Sequence, residues 1–67
     1  MKSISGKSLA KILENKGWML KKTRGSHFKY QKGEDAVSVP VHGNRDLPIG
    51  TLKSIMKDAN LTEEDLL

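Results

Sequence analysis

Three short segments of alternating polarity follow one another across two glycine-bearing turns: Trp18 to Thr23, His27 to Gln31 and Ala36 to Val41. Period-2 patterning at such close spacing favours an antiparallel meander. Alternation puts Trp18 and Leu20, then Phe28 and Tyr30, then Val37, Val39 and Val41, on one side. The turns can be tested against those sides. With Arg24-Gly25-Ser26 as a three-residue loop, Leu20 opposes Tyr30 and Thr23 opposes His27. With Gly33-Glu34 as a two-residue turn, Lys32 opposes Asp35, Tyr30 opposes Val37 and Phe28 opposes Val39. Glycine first in such a turn suits type II′. Both registers gather apolar side chains on one face, and a slip of one residue would send them to opposite faces.

Helical periodicity flanks the meander. Ser5 can cap a helix from about Gly6 to Lys16, with Leu9, Ile12 and Leu13 on one stripe. Lys7, Lys11 and Glu14 fall opposite, and Gly17 suits the left-handed residue after a helix end. Pro48 suits the first turn of a second helix, running to about Ala59, with Leu52, Ile55, Met56 and Ala59 as its stripe. Asn60 can end that helix in the αL conformation. Thr62 to Asp65 reads as a short capped turn, with Leu61, Leu66 and Leu67 as packing candidates.

The order α-β-β-β-α makes an α+β fold. Two amphipathic helices and one apolar sheet face pack most economically with both helices on that face. The other face stays open and is expected to carry Lys21, Thr23, His27, Lys29, Gln31 and Ser38. Residues 1–67 are expected to form one domain. A chain this short buries only about 60% of its unfolded surface. Chemistry is therefore expected on an open surface, not in a large internal pocket.

Charge is unevenly placed. Residues 1–33 carry nine Lys/Arg and one acid, whereas residues 34–67 carry three Lys/Arg and seven acids. That asymmetry suggests a basic face able to engage phosphates, against the plainer reading of a solvated small domain. The absence of cysteine rules out a disulfide scaffold and thiolate metal sites, and fits a reducing cytoplasm. Neither a secretory h-region nor a membrane span is visible.

His27 is the residue best placed for chemistry. RNA can be cut without metal because its own 2′-hydroxyl is a nucleophile. An enzyme must take that proton, protonate the leaving 5′-oxygen and stabilise the phosphorane. Histidine can act as acid or base near neutrality, and Lys and Arg supply the electrostatic part. Lys21, Lys22, Arg24 and Lys29 are candidates to bind or polarise phosphate. Gly25 would let the backbone approach closely, and Ser26 can donate a hydrogen bond. The competing reading of His27 is a solvated strand residue. His42 is a second acid/base, a phosphate ligand or a plain loop histidine. Lys53 and Lys57 are peripheral phosphate contacts or a solvated helix flank. Trp18 and Tyr30 could stack on bases, but alternation assigns both to the core. A metal site from His27, His42 and an acid has no ligand-spacing signature, and no cofactor is expected.

Gly25-Ser26-His27 is followed by Val39-Pro40-Val41-His42-Gly43-Asn44, Leu47-Pro48, Gly50-Thr51-Leu52, Ile55-Met56-Lys57-Asp58-Ala59 and Leu61-Thr62. With Ser5-Gly6-Lys7 and Gly17-Trp18, this ordered series resembles the HicA toxin family, the small mRNA interferases of HicA–HicB toxin–antitoxin pairs. The resemblance implies a double-stranded-RNA-binding-domain-like fold and ribosome-independent cleavage of mRNA. It assigns catalysis to His27 and neutralisation to a HicB-like antitoxin covering the site. No membrane partner is expected, since no apolar run approaches the length of a membrane span. The family often has Ala-Gly-Leu where this chain has Ala59-Asn60-Leu61. The rivals are a non-catalytic RNA-binding module of the same fold and a degenerate toxin kept only to bind its antitoxin.

Overall fold

A computed structural model describes residues 2–67. Helix α1 spans Gly6–Asn15, strands β1, β2 and β3 span Met19–Arg24, His27–Lys32 and Asp35–Pro40, and helix α2 spans Ile49–Ala59. A 3₁₀ turn over Glu63–Leu66 follows. The sheet is antiparallel in the order β1-β2-β3. The α-β-β-β-α layout matches the order read from the sequence.

The apolar stripes decide the packing. Leu9 and Leu13 of α1 and Leu52 of α2 are fully buried against Tyr30 and Val39 of the sheet. Both helices thus cover one sheet face. Burying a Leu in this way contributes roughly 1.5–3 kcal/mol. Trp18 precedes β1 but still packs in the core, as its alternation requires. Tyr30 is 1% exposed, and its hydroxyl donates to Glu14 Oε2 at 2.7 Å. Glu14 therefore reaches the sheet, although periodicity places it with Lys7 and Lys11. Burial, reinforced by Glu14, pushes the Tyr30 hydroxyl up to about 12.

The ends of the helices follow local chemistry. Ser5 Oγ accepts from the Ser8 backbone N–H at 3.1 Å, the expected cap. The helix stops at Asn15, with Lys16 as its C-cap. Gly6 is buried for a different reason. A β-carbon there would lie 1.9 Å from the Pro40 carbonyl oxygen, so only glycine lets α1 dock on the end of β3. Pro48 sits at the N-cap of α2, one position before the first turn assigned to it from sequence. Its φ of −54° and ψ of 140° direct the chain into the helix without a side-chain cap. Asn60 closes α2 at φ 57°, so asparagine supplies the expected αL residue.

The far end of the molecule is tied by polar contacts. Lys16 Nζ lies 2.6 Å from Asp65 Oδ1, and Lys32 Nζ donates to the Lys16 carbonyl at 2.8 Å. The Lys16 ammonium, with the Thr62 backbone N–H, holds the Asp65 carboxyl below its ordinary range. Leu61 and Leu66 pack on the core. Leu67 is fully exposed, contrary to its expected packing, because the 3₁₀ turn ends at Leu66 and leaves it outside.

Candidate functional site

The site depends on where the first hairpin turns. Arg24 pairs with His27, so Gly25-Ser26 is a two-residue turn and not part of a three-residue loop. Gly25 has φ 58°, which suits a type II′ turn with glycine first. Thr23 consequently opposes Phe28 instead of His27. Farther along, Leu20 opposes Tyr30 as expected. The two requirements differ by one residue, and a β-bulge between Leu20 and Lys22 absorbs it at Lys21.

That bulge rewrites the open face. Residues directly opposite on neighbouring strands share a side of the sheet. Three rows follow from the pairing: Met19, Gln31 and Ala36; Lys22, Lys29 and Ser38; and Arg24, His27 and Pro40. Lys21 and Thr23, expected beside His27, are displaced by Lys22 and Arg24. Lys21 is the unpaired residue of the bulge, and Thr23 goes to the side of Phe28. Leu20 remains 44% exposed because β1 is the edge strand remote from α2.

His27 occupies a shallow concavity of about 250 Å³ lined by Lys22, Arg24, Lys29 and Ser38. Three cations and a hydroxyl surround an exposed imidazole, and no acid lines the concavity. Arg24 is the direct cross-strand neighbour of His27. Opposite residues of an antiparallel pair hold their β-carbons roughly 4.5–5.5 Å apart, within reach of a single phosphate. A guanidinium can offer that phosphate two parallel N–H donors. Ser26 is half-buried, and its carbonyl accepts from the Val41 N–H at 2.6 Å. The Gly25-Ser26 turn therefore ties the chain after β3 to the end that carries His27.

A family model described as the HicA toxin of bacterial toxin–antitoxin matches residues 6–61. The chain belongs to the HicA toxin family. The matched span begins at Gly6, the glycine beneath Pro40, and includes every candidate site residue. No curated protein matches the chain.

Within this HicA-family fold the remaining candidates are scattered. His42 lines a separate concavity of about 290 Å³ with Arg45, Asp46 and Thr51. It does not line the concavity of His27. Lys53 and Lys57 flank a third hollow on α2 with Met56 and Leu61, also apart from His27. Arg45 beside His42 was not foreseen, and its loop position offers no periodicity to betray it. The sheet placement of Arg24 was foreseeable. Gly25-Ser26 has the same glycine-first pattern as Gly33-Glu34, the two-residue turn of the second hairpin. Among the described residues, no cluster of three or more His, Asp or Glu is placed to hold a metal ion. No helix among them is long and apolar enough to cross a membrane.

Proposed function

We propose that this HicA-family toxin is an endoribonuclease that cleaves mRNA in the cytoplasm without a metal ion. The observation that carries the reading is the exposed His27 directly across from Arg24, next to the row that pairs Lys22 with Lys29. His27 is the general base or acid. It takes the proton from the attacking 2′-oxygen or delivers one to the departing 5′-oxygen. Arg24, Lys22 and Lys29 bind the phosphate and offset the charge that grows on it, with Ser38 as an additional donor. Gly25 gives the RNA backbone close access at the turn, and Ser26 can add a hydrogen bond. His42, Lys21, Lys53 and Lys57 make outlying phosphate contacts.

The same cations make the face a natural target for an acidic surface. A HicB-like antitoxin laid over it would block RNA and cover His27 together. The deciding experiment is a paired cleavage assay on RNA in EDTA, wild type against His27→Ala. Wild type degrades the RNA. The variant loses cleavage and keeps its circular dichroism spectrum, since His27 is exposed and supports no packing. Cleavage by a folded His27→Ala protein would refute the catalytic assignment. Salt-dependent binding with no cleavage by wild type would make the chain an RNA-binding module instead.

A further inference from the structure

We infer that the groove between α1 and the helix-facing side of β2 holds one nucleobase of single-stranded RNA, stacked on Phe28. The inference rests on the reading that this chain engages RNA, and it adds a site that recognises a base to one that handles a phosphate.

Phe28 is the unusual aromatic of the chain. Trp18 is 5% exposed and Tyr30 1%, whereas Phe28 is only half-buried. The register explains why. Phe28 stands between Thr23 and Val39, and the bulge leaves short, exposed Thr23 on the outer side. The apolar residue that α1 contributes to the same hollow is Ala10, too small to close the space. What remains is an open groove of about 620 Å³ with Ala10, Phe28 and Val41 as its apolar lining. That volume lies within the range of roughly 300–1,000 Å³ common for small-molecule sites.

The rim gives the groove its ligand class. Lys7 and Lys11 lie one turn apart on α1 and flank the apolar floor. Glu14 also borders the groove, but its carboxylate accepts the Tyr30 hydroxyl and is engaged there. Asn44 borders it from the loop after β3. The turn is closed by the Arg45 N–H to the His42 carbonyl at 3.1 Å, and Gly43 has φ 58°. A half-buried aromatic facing an open groove, an amide with both donor and acceptor, and two ammonium groups are the parts that unpaired bases use: stacking, edge recognition and phosphate neutralisation. A duplex would withhold both the face and the edge of its bases. A purely apolar protein side chain would use neither Asn44 nor the lysines.

The groove and His27 can serve one strand. Phe28 follows His27 directly and faces the other side of the sheet. Gly25 and Gly43 both lie at this end, and neither would meet any atom within 4 Å even with a β-carbon added. An RNA strand can therefore cross the sheet end over bare backbone, with its phosphate at Arg24 and His27 and a neighbouring base at Phe28.

The test uses the full chain carrying His27→Ala, so that RNA survives the measurement. The four 5′-ribomononucleotides and, separately, inorganic phosphate are titrated while resonances are followed by NMR. Mononucleotides are expected to move Ala10, Phe28, Val41 and Asn44, and phosphate alone is not. A fluorescent hexaribonucleotide should bind about tenfold more weakly to Phe28→Leu, which keeps the apolar bulk and loses the ring. Asn44→Ala, at an exposed position, should narrow the differences among the four nucleotides without unfolding the protein. Shifts confined to Lys22, Arg24 and Lys29 would overturn the inference. So would an acidic apolar peptide that moves the groove resonances when no nucleotide does. Failure of wild type to cleave would count against the proposed catalysis alone. Cleavage with a silent groove would count against this inference alone.

Discussion

The two hairpins of the sheet turn in the same way and yet pair differently. Gly25 and Gly33 each open a two-residue turn, at φ 58° and 60°. The β2–β3 hairpin then runs unbroken from Lys32 opposite Asp35 to His27 opposite Pro40. The β1–β2 hairpin keeps its ladder only as far as Lys22 opposite Lys29, then takes Lys21 as an extra residue. Turn chemistry sets the pairing near a turn, and hydrophobic matching sets it at the far end. Where the two disagree by one residue, a bulge reconciles them and every residue between changes face. In the regular hairpin that conflict never arises. In the bulged one it exchanges Thr23 for Arg24 as the neighbour of His27.

The sharpest way to break this comparison is to remove each of those two residues. Arg24→Ala is expected to slow cleavage about 10²–10³-fold, the usual loss for one donor aimed at developing charge. Thr23→Ala, on the far side of the strand, should stay within about threefold, since it contributes no donor to the concavity. Single-turnover cleavage of one RNA by both variants measures the difference. A larger effect at Thr23 would restore the three-residue loop and overturn the bulged register.

The regular hairpin has its own point of failure at Pro40, where α1 docks. Gly6→Ala places a methyl group against the Pro40 carbonyl and should cost roughly 1–3 kcal/mol, as overpacking does. Gly50→Ala is the control. It lies in α2 with no atom within 4 Å of the added carbon. Alanine there should leave stability unchanged or raise it by up to about 1 kcal/mol. Urea denaturation of the pair reads both. Equal midpoints would mean that α1 yields without cost at this contact.

These positions also show what a sequence can and cannot disclose. The sheet order, the helix-covered face and the second hairpin were legible because alternation and turn chemistry agreed there. The αL end at Asn60 and the cap at Ser5 were legible because each depends on one residue and its immediate neighbours. The first hairpin was legible at Leu20 and not at Thr23, because matching apolar residues at its far end concealed an extra residue. His27 was placed on the correct face by β2 alone, so the bulge in β1 could not displace it. Gly6 was unreadable as a packing residue, since its contact is with backbone 34 positions away. The groove at Phe28 was hidden for the same reason: it depends on a small residue, Ala10, sharing its lining with a strand distant in sequence.

A gentler test of the bulge compares the bulged lysine with the paired lysine beside it. Lys22→Ala should weaken RNA binding about fivefold and lower the slope of log affinity against log salt by about 0.7, as losing one phosphate contact on a single strand does. Lys21→Ala should change both by less, because Lys21 does not line the concavity. Binding is measured by fluorescence anisotropy with His27→Ala as the background. A steeper loss at Lys21 would put the bulged residue itself over the phosphate.

Tyr30 belongs to both hairpins, opposite Leu20 in one and Val37 in the other, so its tether to Glu14 bears on the two together. Tyr30→Phe keeps the ring and its packing and removes one hydrogen bond, for a loss of about 0.5–1.5 kcal/mol at neutral pH. The pH dependence is more specific. The hydroxyl ionises near 10.0 in the unfolded chain and only near about 12 in the folded one, so its stabilising contribution is complete below 10.0. As pH rises from there through about 12, the unfolded chain gives up the proton first and stability falls. Every other group is common to the two proteins, so the slope of wild type minus Tyr30→Phe isolates the tyrosine. Wild type should lose stability faster than the variant across that window. Parallel curves would mean that the Glu14 bond and the burial of the hydroxyl do not hold α1 to the strand both hairpins share.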